Sequence, residues 1–166
     1  GWYTNVECTD DAKFTASAMP GENLTLYAKW TVNKYTVTYV VDNERTTKQV
    51  EFGTEVTLPK PPAEKAGYTF NRWDVSGAVM TDSKFTMPAN NVTITATWTA
   101  NRYTITFDTD GGSAVAAMTQ DYGTAVTAPA APAKTGYTFA GWKPALPATM
   151  PLNGLAVKAK WTVNQY

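Results

Sequence analysis

The chain is predicted to be mainly β, built as small modules in tandem. Three observations predict this. A pattern of residue blocks recurs along the chain, apolar residues alternate with Thr inside the blocks, and no stretch carries the 3.6-residue period of a long helix.

The repeat is read from fixed marks. Met-Pro occurs at Met19-Pro20, Met87-Pro88 and Met150-Pro151, each followed by a tryptophan (Trp30, Trp98, Trp161) and then a tyrosine (Tyr35, Tyr103, Tyr166). Gly67-Tyr68-Thr69-Phe70-Asn71-Arg72-Trp73 matches Gly136-Tyr137-Thr138-Phe139-Ala140-Gly141-Trp142, and Phe52-Gly53-Thr54 matches Tyr122-Gly123-Thr124. The expected division is a partial repeat, its C-terminal half only, over 1–34, a complete repeat over 35–102 and a second over 103–166. Tyr166 stands where a further repeat would open. The phase is that of a piece of a longer array.

Each element follows from its local pattern. Tyr35, Val37, Tyr39 and Val41 alternate with Thr36 and Thr38, and Tyr103, Ile105 and Phe107 with Thr104 and Thr106. Both read as half-buried strands. Asp110-Gly111-Gly112 is a hairpin signal, so partner strands are expected near 47–52 and 117–122. Leu58 to Pro62 and Ala128 to Pro132 are too rich in proline for a central strand. They read as crossing segments, the first with one helical turn near Pro62 to Ala66. The closing strand puts Val92, Ile94, Ala96 and Trp98 on one face. Leu155, Val157, Ala159, Trp161 and Leu24, Leu26, Ala28, Trp30 repeat it, so Trp30, Trp98 and Trp161 are expected in the core. Two strands, a crossing segment and two or three further strands in so short a repeat fit a small β-grasp module. A small β-sandwich is the alternative. Modules of this size bury a modest share of their surface, and their aromatics must supply much of the stability.

Composition narrows the function classes. The chain has 14 Lys+Arg and 14 Asp+Glu, a formal net charge of zero, which lacks the basic field that nucleic acid requires. It has no His, the commonest general base and zinc ligand. Cys8 is the one cysteine, which excludes an internal disulfide. That scarcity fits a surface protein stable without disulfides and fits a cytosolic one equally. No apolar run is long enough to insert in a membrane as a helix, and Gly1-Trp2-Tyr3 does not read as a signal peptide.

The run from Tyr103 through Asp110-Gly111-Gly112, Tyr122-Gly123-Thr124, Lys134-Thr135-Gly136-Tyr137-Thr138-Phe139-Ala140-Gly141-Trp142 and Lys158-Ala159-Lys160-Trp161 resembles the Listeria–Bacteroides repeat. That family includes the B repeat of the listerial internalins. The resemblance covers 35–166 as two copies and 1–34 as a partial one. It implies ubiquitin-like β-grasp modules in tandem, in secreted or wall-anchored bacterial surface proteins, without catalysis or cofactor. The first complete copy departs from the pattern, with Asp42-Asn43-Glu44 for the Asp-Gly-Gly turn and Asn71-Arg72 for Ala-Gly.

Candidate sites are few. Asp108-Thr109-Asp110-Gly111 has the opening of a calcium loop, but Ser113 and Thr119 stand where such a loop wants Gly and a carboxylate, and a turn is expected. Cys8 lacks an activating partner and reads as a passive thiol. Lys29 and Lys160 lie on the Thr face, unsuited to an isopeptide bond that needs a desolvated lysine. Asn23-Leu24-Thr25 and Asn91-Val92-Thr93 fit the glycosylation sequon but read as turns. Trp73 and Trp142 lie at opposite parity to the aromatics just before them. Either a bulge turns them inward, or they are exposed and, with Trp2, available to a ligand or a neighbouring module. No set of acidic residues recurs between repeats, as a repeated active site would require.

The expected function is therefore a non-catalytic, adhesin-like stalk. The alternative is a module binding glycan or host protein through exposed Trp and Tyr. Neighbouring repeats of the same chain are the expected partners. Residues 1–34 are expected either to dock on the adjoining module or to form a strand-swapped dimer.

Overall fold

The computed structural model describes every residue except Ala16, Met19 and Tyr166. The first Met-Pro mark and the last repeat tyrosine thus fall outside the described residues. The described chain is mainly β. Contact density divides it into two compact units: Gly1–Val40 with Glu44–Leu58 and Val75–Ile94, and Val41–Asn43 with Pro59–Asp74 and Thr95–Tyr166.

In the first unit, β1 (Trp2–Tyr3) pairs antiparallel with β2 (Tyr27–Ala28). Between them lies a 3-10 turn, Asp10–Ala12. The repeat 35–102, whose strands that division cuts, carries a four-stranded sheet of order β4-β3-β8-β6, from β3 (Lys34–Val41), β4 (Glu44–Glu51), β6 (Tyr68–Ser76) and β8 (Val92–Ala100). Two short strands, β5 (Glu55–Thr57) and β7 (Lys84–Thr86), pair apart from it. Val37, Met87, Val92 and Ile94 are fully buried. Val92, Ile94 and Ala96 alternate inward along β8 as the Thr spacing predicts.

In the second unit, β9 (Arg102–Asp108), β10 (Met118–Asp121), β11 (Tyr137–Lys143) and β12 (Leu155–Val163) form a sheet in the order β10-β9-β12-β11. The central pair, β9 and β12, is parallel, and both outer pairs are antiparallel. Ile105, Met150 and Val157 are the buried centre, with Phe107, Met118 and Trp142 packed against it.

Met-Pro proves to be a packing device. Met87 N donates to Thr54 O at 2.8 Å and Met87 O accepts from Gly53 N at 2.9 Å. Met150 N donates to Thr124 O at 2.8 Å, and Met150 O accepts from Gly123 N at 3.0 Å. Each Met thus hydrogen-bonds the aromatic-Gly-Thr turn of its repeat and buries its thioether, at 0% and 1% exposure. The proline that follows has no N–H and cannot extend the pairing.

Three expectations are corrected. No helical turn forms at Pro62 to Ala66, which holds a bend at Ala63 and a turn at Ala66-Gly67. The ring of Pro62 disfavours helical geometry in Pro61 before it. The closing strand predicted from Leu24 to Trp30 shrinks to Tyr27–Ala28. Trp30 is 89% exposed, not core, and Trp98 and Trp161 are half-buried. β8 runs to Ala100 and β9 starts at Arg102, so Asn101 alone separates them.

Candidate functional site

The feature that recurs with the same geometry is a lysine clasp. Lys65-Ala66-Gly67-Tyr68 and Lys134-Thr135-Gly136-Tyr137 each form a tight turn entering β6 or β11. Tyr68 N donates to Lys65 O at 3.0 Å, and Tyr137 N to Lys134 O at 3.1 Å. The turn swings the lysine back over the sheet. Lys65 Nζ lies 4.7 Å from the Tyr68 ring centroid and 5.6 Å from that of Trp98. Lys134 Nζ lies 4.7 Å from Tyr137 and 5.6 Å from Trp161. An ammonium over two ring faces is attracted by both quadrupoles. Its remaining donors reach the first hairpin: Lys65 pairs with Asp42, and Lys134 donates to Asp110 O at 2.6 Å.

The tryptophans under the clasp differ in one bond. Phe70 meets Trp98 edge-on at 5.6 Å, and Phe139 meets Trp161 edge-on at 5.6 Å. Trp161 Nε1 donates to Thr109 O at 3.1 Å, whereas the buried Trp98 Nε1 has no partner among the described residues. The hairpins explain this. Only Asp42-Asn43 separate β3 from β4, while the longer connection after β9 carries Thr109 over the indole.

Asp108 and Asp110, the calcium-loop candidates, serve a turn. Asp110 N donates to Asp108 Oδ1 at 2.9 Å. Lys158 Nζ lies 2.7 Å from Asp110 and 3.7 Å from Asp108. The Lys158 hydrogen bond, then its charge, holds the Asp110 carboxyl below its ordinary value of 3.8. The same bond raises Lys158 above its ordinary 10.5. Among the described residues, no group of three or more His, Cys, Asp or Glu is placed to hold a metal.

The residues singled out from the sequence are not brought together. Trp142 is turned inward by a bulge between Phe139 and Gly141 and packs on Phe107 at 4.9 Å and Phe139 at 5.1 Å. Trp73 is half-buried, 5.5 Å from Phe70, and its Nε1 donates to Pro59 O at 3.0 Å. Trp2 is 57% exposed on β1. Cys8 is buried, its Sγ 3.7 Å from Val6 O. Lys29 and Lys160 are exposed, and Asn91 Oδ1 accepts from Thr36 N at 2.8 Å. Lys65, Lys134, Met87, Met150 and Asn101 were not singled out as functional, although the recurrence of Lys-x-Gly-Tyr was visible as a signal.

One open cleft of about 570 Å³ adjoins the first clasp, lined in part by Pro61, Lys65, Tyr68, Phe70, Trp98 and Asn101. A smaller hollow in the first unit lies between Trp2 and Trp30, with Lys29 at its edge.

Residues 1–29 and 103–147 match the Listeria-Bacteroides repeat domain, and residues 35–102 match the Divergent InlB B-repeat domain. A protein of Evansella cellulosilytica described as a membrane protein is 36% identical over 146 residues, 86% of this chain and 22% of its own length. A second, described as a Gly-rich membrane protein, is 31% identical over all of this chain and 20% of its own length. Internalin H of Listeria monocytogenes is 36% identical over 104 residues, 61% of this chain and 19% of its own length. The chain therefore spans about a fifth of these relatives. Domains 3-4 of a streptococcal cell surface protein with high identity repeats in tandem align over 79% of this chain and 98% of theirs. Their identity is 15% and the TM-score 0.31, too distant a superposition to establish a shared fold.

Proposed function

Because the chain belongs to the Listeria–Bacteroides repeat family, its middle part matching the divergent InlB B-repeat, we propose that it is a non-catalytic spacer of a bacterial surface protein. In this reading 35–102 and 103–166 are complete modules, and 1–34 is the closing half of another. The array holds a distal segment away from the cell.

The observation that carries the reading is where the recurring chemistry goes. The repeated lysines are engaged by their own aromatics and hairpins, and the repeated methionines by their own turns. What selection would keep from repeat to repeat here is construction. Strand order supports a β-grasp for each module. In both, the first and last strands lie side by side in the middle of the sheet, and in the second these two are parallel. A proline-rich segment crosses where that fold usually has a helix. An extracellular location is part of the proposal. Among the described residues no helix is long and apolar enough to cross a membrane.

The test is small-angle scattering on chains of increasing repeat number. Maximum dimension should grow by ~35 Å per repeat, from the strand rise and the short connections. Growth near the cube root of repeat number would defeat the spacer reading.

A second reading rests on Trp2 and Trp30, 57% and 89% exposed beside one hollow. Exposed indoles suit a sugar face or a host protein. Trp30→Ala should then abolish retention on a glycan or host-protein surface while leaving the melting midpoint unchanged.

A further inference from the structure

Asn101 makes three hydrogen bonds that together form a joint. Its N–H donates to Gly67 O at 2.9 Å, and its Oδ1 accepts from Thr69 Oγ1 at 2.6 Å. Its carbonyl accepts from Tyr122 N at 2.8 Å. The bonds bring the Tyr122 ring onto Gly67, where a Cβ would run into it, and 5.7 Å edge-on from Tyr68. Gly67 is buried and Tyr68 half-buried as a result. An aromatic-Gly-Thr turn of one repeat is thus seated on the Gly-Tyr-Thr segment of the repeat before it.

The same parts recur on either side. Asn164 makes the first two bonds, to Gly136 O at 2.9 Å and from Thr138 Oγ1 at 2.7 Å. There, among the described residues, nothing lies within 4 Å of where a Gly136 Cβ would sit, and Tyr137 is 39% exposed. Asn33 makes the third bond, accepting from Phe52 N at 2.9 Å, and Phe52 is 55% exposed.

We infer that Gly136, Tyr137 and Asn164 form a docking socket for the aromatic-Gly-Thr turn of another repeat, supplied in the same chain after residue 165. The argument is continuity with the joint at Asn101, which shows the occupied form of the same segment. Glycine is required because the aromatic ring lies flat against the position a Cβ would fill. This goes beyond the spacer reading, since an array could be long with loose joints. The socket makes each joint stiff and directional.

Two glycines with matched backbones make the test sharp. Gly67 and Gly136 have φ of +81° and +78°, so alanine costs the same conformational strain at either. In the chain as it stands, Gly67→Ala should lower the melting midpoint by several degrees more than Gly136→Ala, and adding Tyr122→Ala should erase the excess. The chain is then extended after residue 165 by a second copy of 103–166. In that chain Gly136→Ala should become as costly as Gly67→Ala. Without any variant, Tyr137 ring resonances should shift and its chemical nitration should slow to the level of Tyr68. Equal losses for Gly67→Ala and Gly136→Ala in the parent would overturn the seat. A Tyr137 as reactive in the extended chain as in the parent would overturn the socket, whatever scattering says about length.

Discussion

Lys134 stands 5.6 Å from the ring of Trp161 and donates to the carbonyl of Asp110, so one ammonium ties the last strand to the first hairpin. Its side chain is 24% exposed, dry enough for both contacts to exceed their value in water. Lys134→Met keeps the stem and removes the charge. It should cost about 1 kcal/mol in urea unfolding followed by Trp fluorescence, within the range for partly desolvated cation–π contacts. Lys134→Arg should recover part of the loss, as a cation that still covers the rings. An unchanged midpoint for Lys134→Met would show that the clasp is incidental.

The two tryptophans beneath the clasps predict unequal responses to one change. Trp161→Phe breaks a bond of 3.1 Å and strands the Thr109 carbonyl, while Trp98→Phe removes a buried N–H with no partner among the described residues. Both lose similar packing area. Trp161→Phe should therefore cost about 1 kcal/mol more, the usual worth of a hydrogen bond together with its orphaned acceptor. Equal losses by calorimetry would mean that Trp98 Nε1 has a partner in solution.

Much of this architecture was legible before the structure. The period-two alternation of apolar residues, with Thr in β3, β8 and β9 and with Lys in β12, placed these strands to within a residue or two, because a half-buried strand imposes a period of two on its sequence. The closing strand at Leu24 failed for a physical reason. Its alternation is as good as that of Leu155, but burial needs a facing surface. Among the described residues no such surface covers Trp30, which is 89% exposed. Pattern states which face is apolar and not what covers it. The clasp was missed because a lysine reads as solvated unless its acceptors are known, and Asp42 and Asp110 are more than 20 residues away, at |i−j| of 23 and 24. The Asn101 joint was hidden similarly, because its partners Gly67 and Tyr122 are distant in the sequence.

Asp110 and Lys158 set the pH response of the first hairpin. Asp110 is held below 3.8 by the Lys158 hydrogen bond and charge. A carboxyl with a depressed folded value adds stability above 3.8 that is lost as pH falls through the folded value. Lys158 is raised above 10.5 by the same partner, so its contribution is full below 10.5 and fades as pH rises past the folded value. Asp110→Asn should lie below wild type in stability at neutral pH, and the gap should close as pH drops below 3.8. Added salt should narrow it at neutral pH, since both groups are exposed. A gap independent of pH in denaturation midpoints would assign it to the turn and not to the charge.

The bulge in β11 makes a prediction about deletion that runs against the usual cost of shortening a strand. Phe139 is opposite Trp161 and Trp142 is opposite Ala159, so both face the core although they are three residues apart. Ala140 is the extra residue, and Gly141, at φ +108°, is opposite Lys160. Removing Ala140 leaves Phe139, Gly141 and Trp142 as consecutive residues of a regular strand with these three partners unchanged, and period two still points both aromatics inward. Deleting Thr138 from the regular part instead shifts Tyr137 by one register position and turns it to the wrong face. The chain lacking Ala140 should keep a blue-shifted Trp emission and lose no more than about 1 kcal/mol, an ordinary surface effect plus the altered twist. The chain lacking Thr138 should lose ~2 kcal/mol or more, as expected when an aromatic contact and the pairing at the strand start are both lost. A red shift of Trp emission on deleting Ala140 would mean that the bulge positions Trp142 by its shape and not by its residue count.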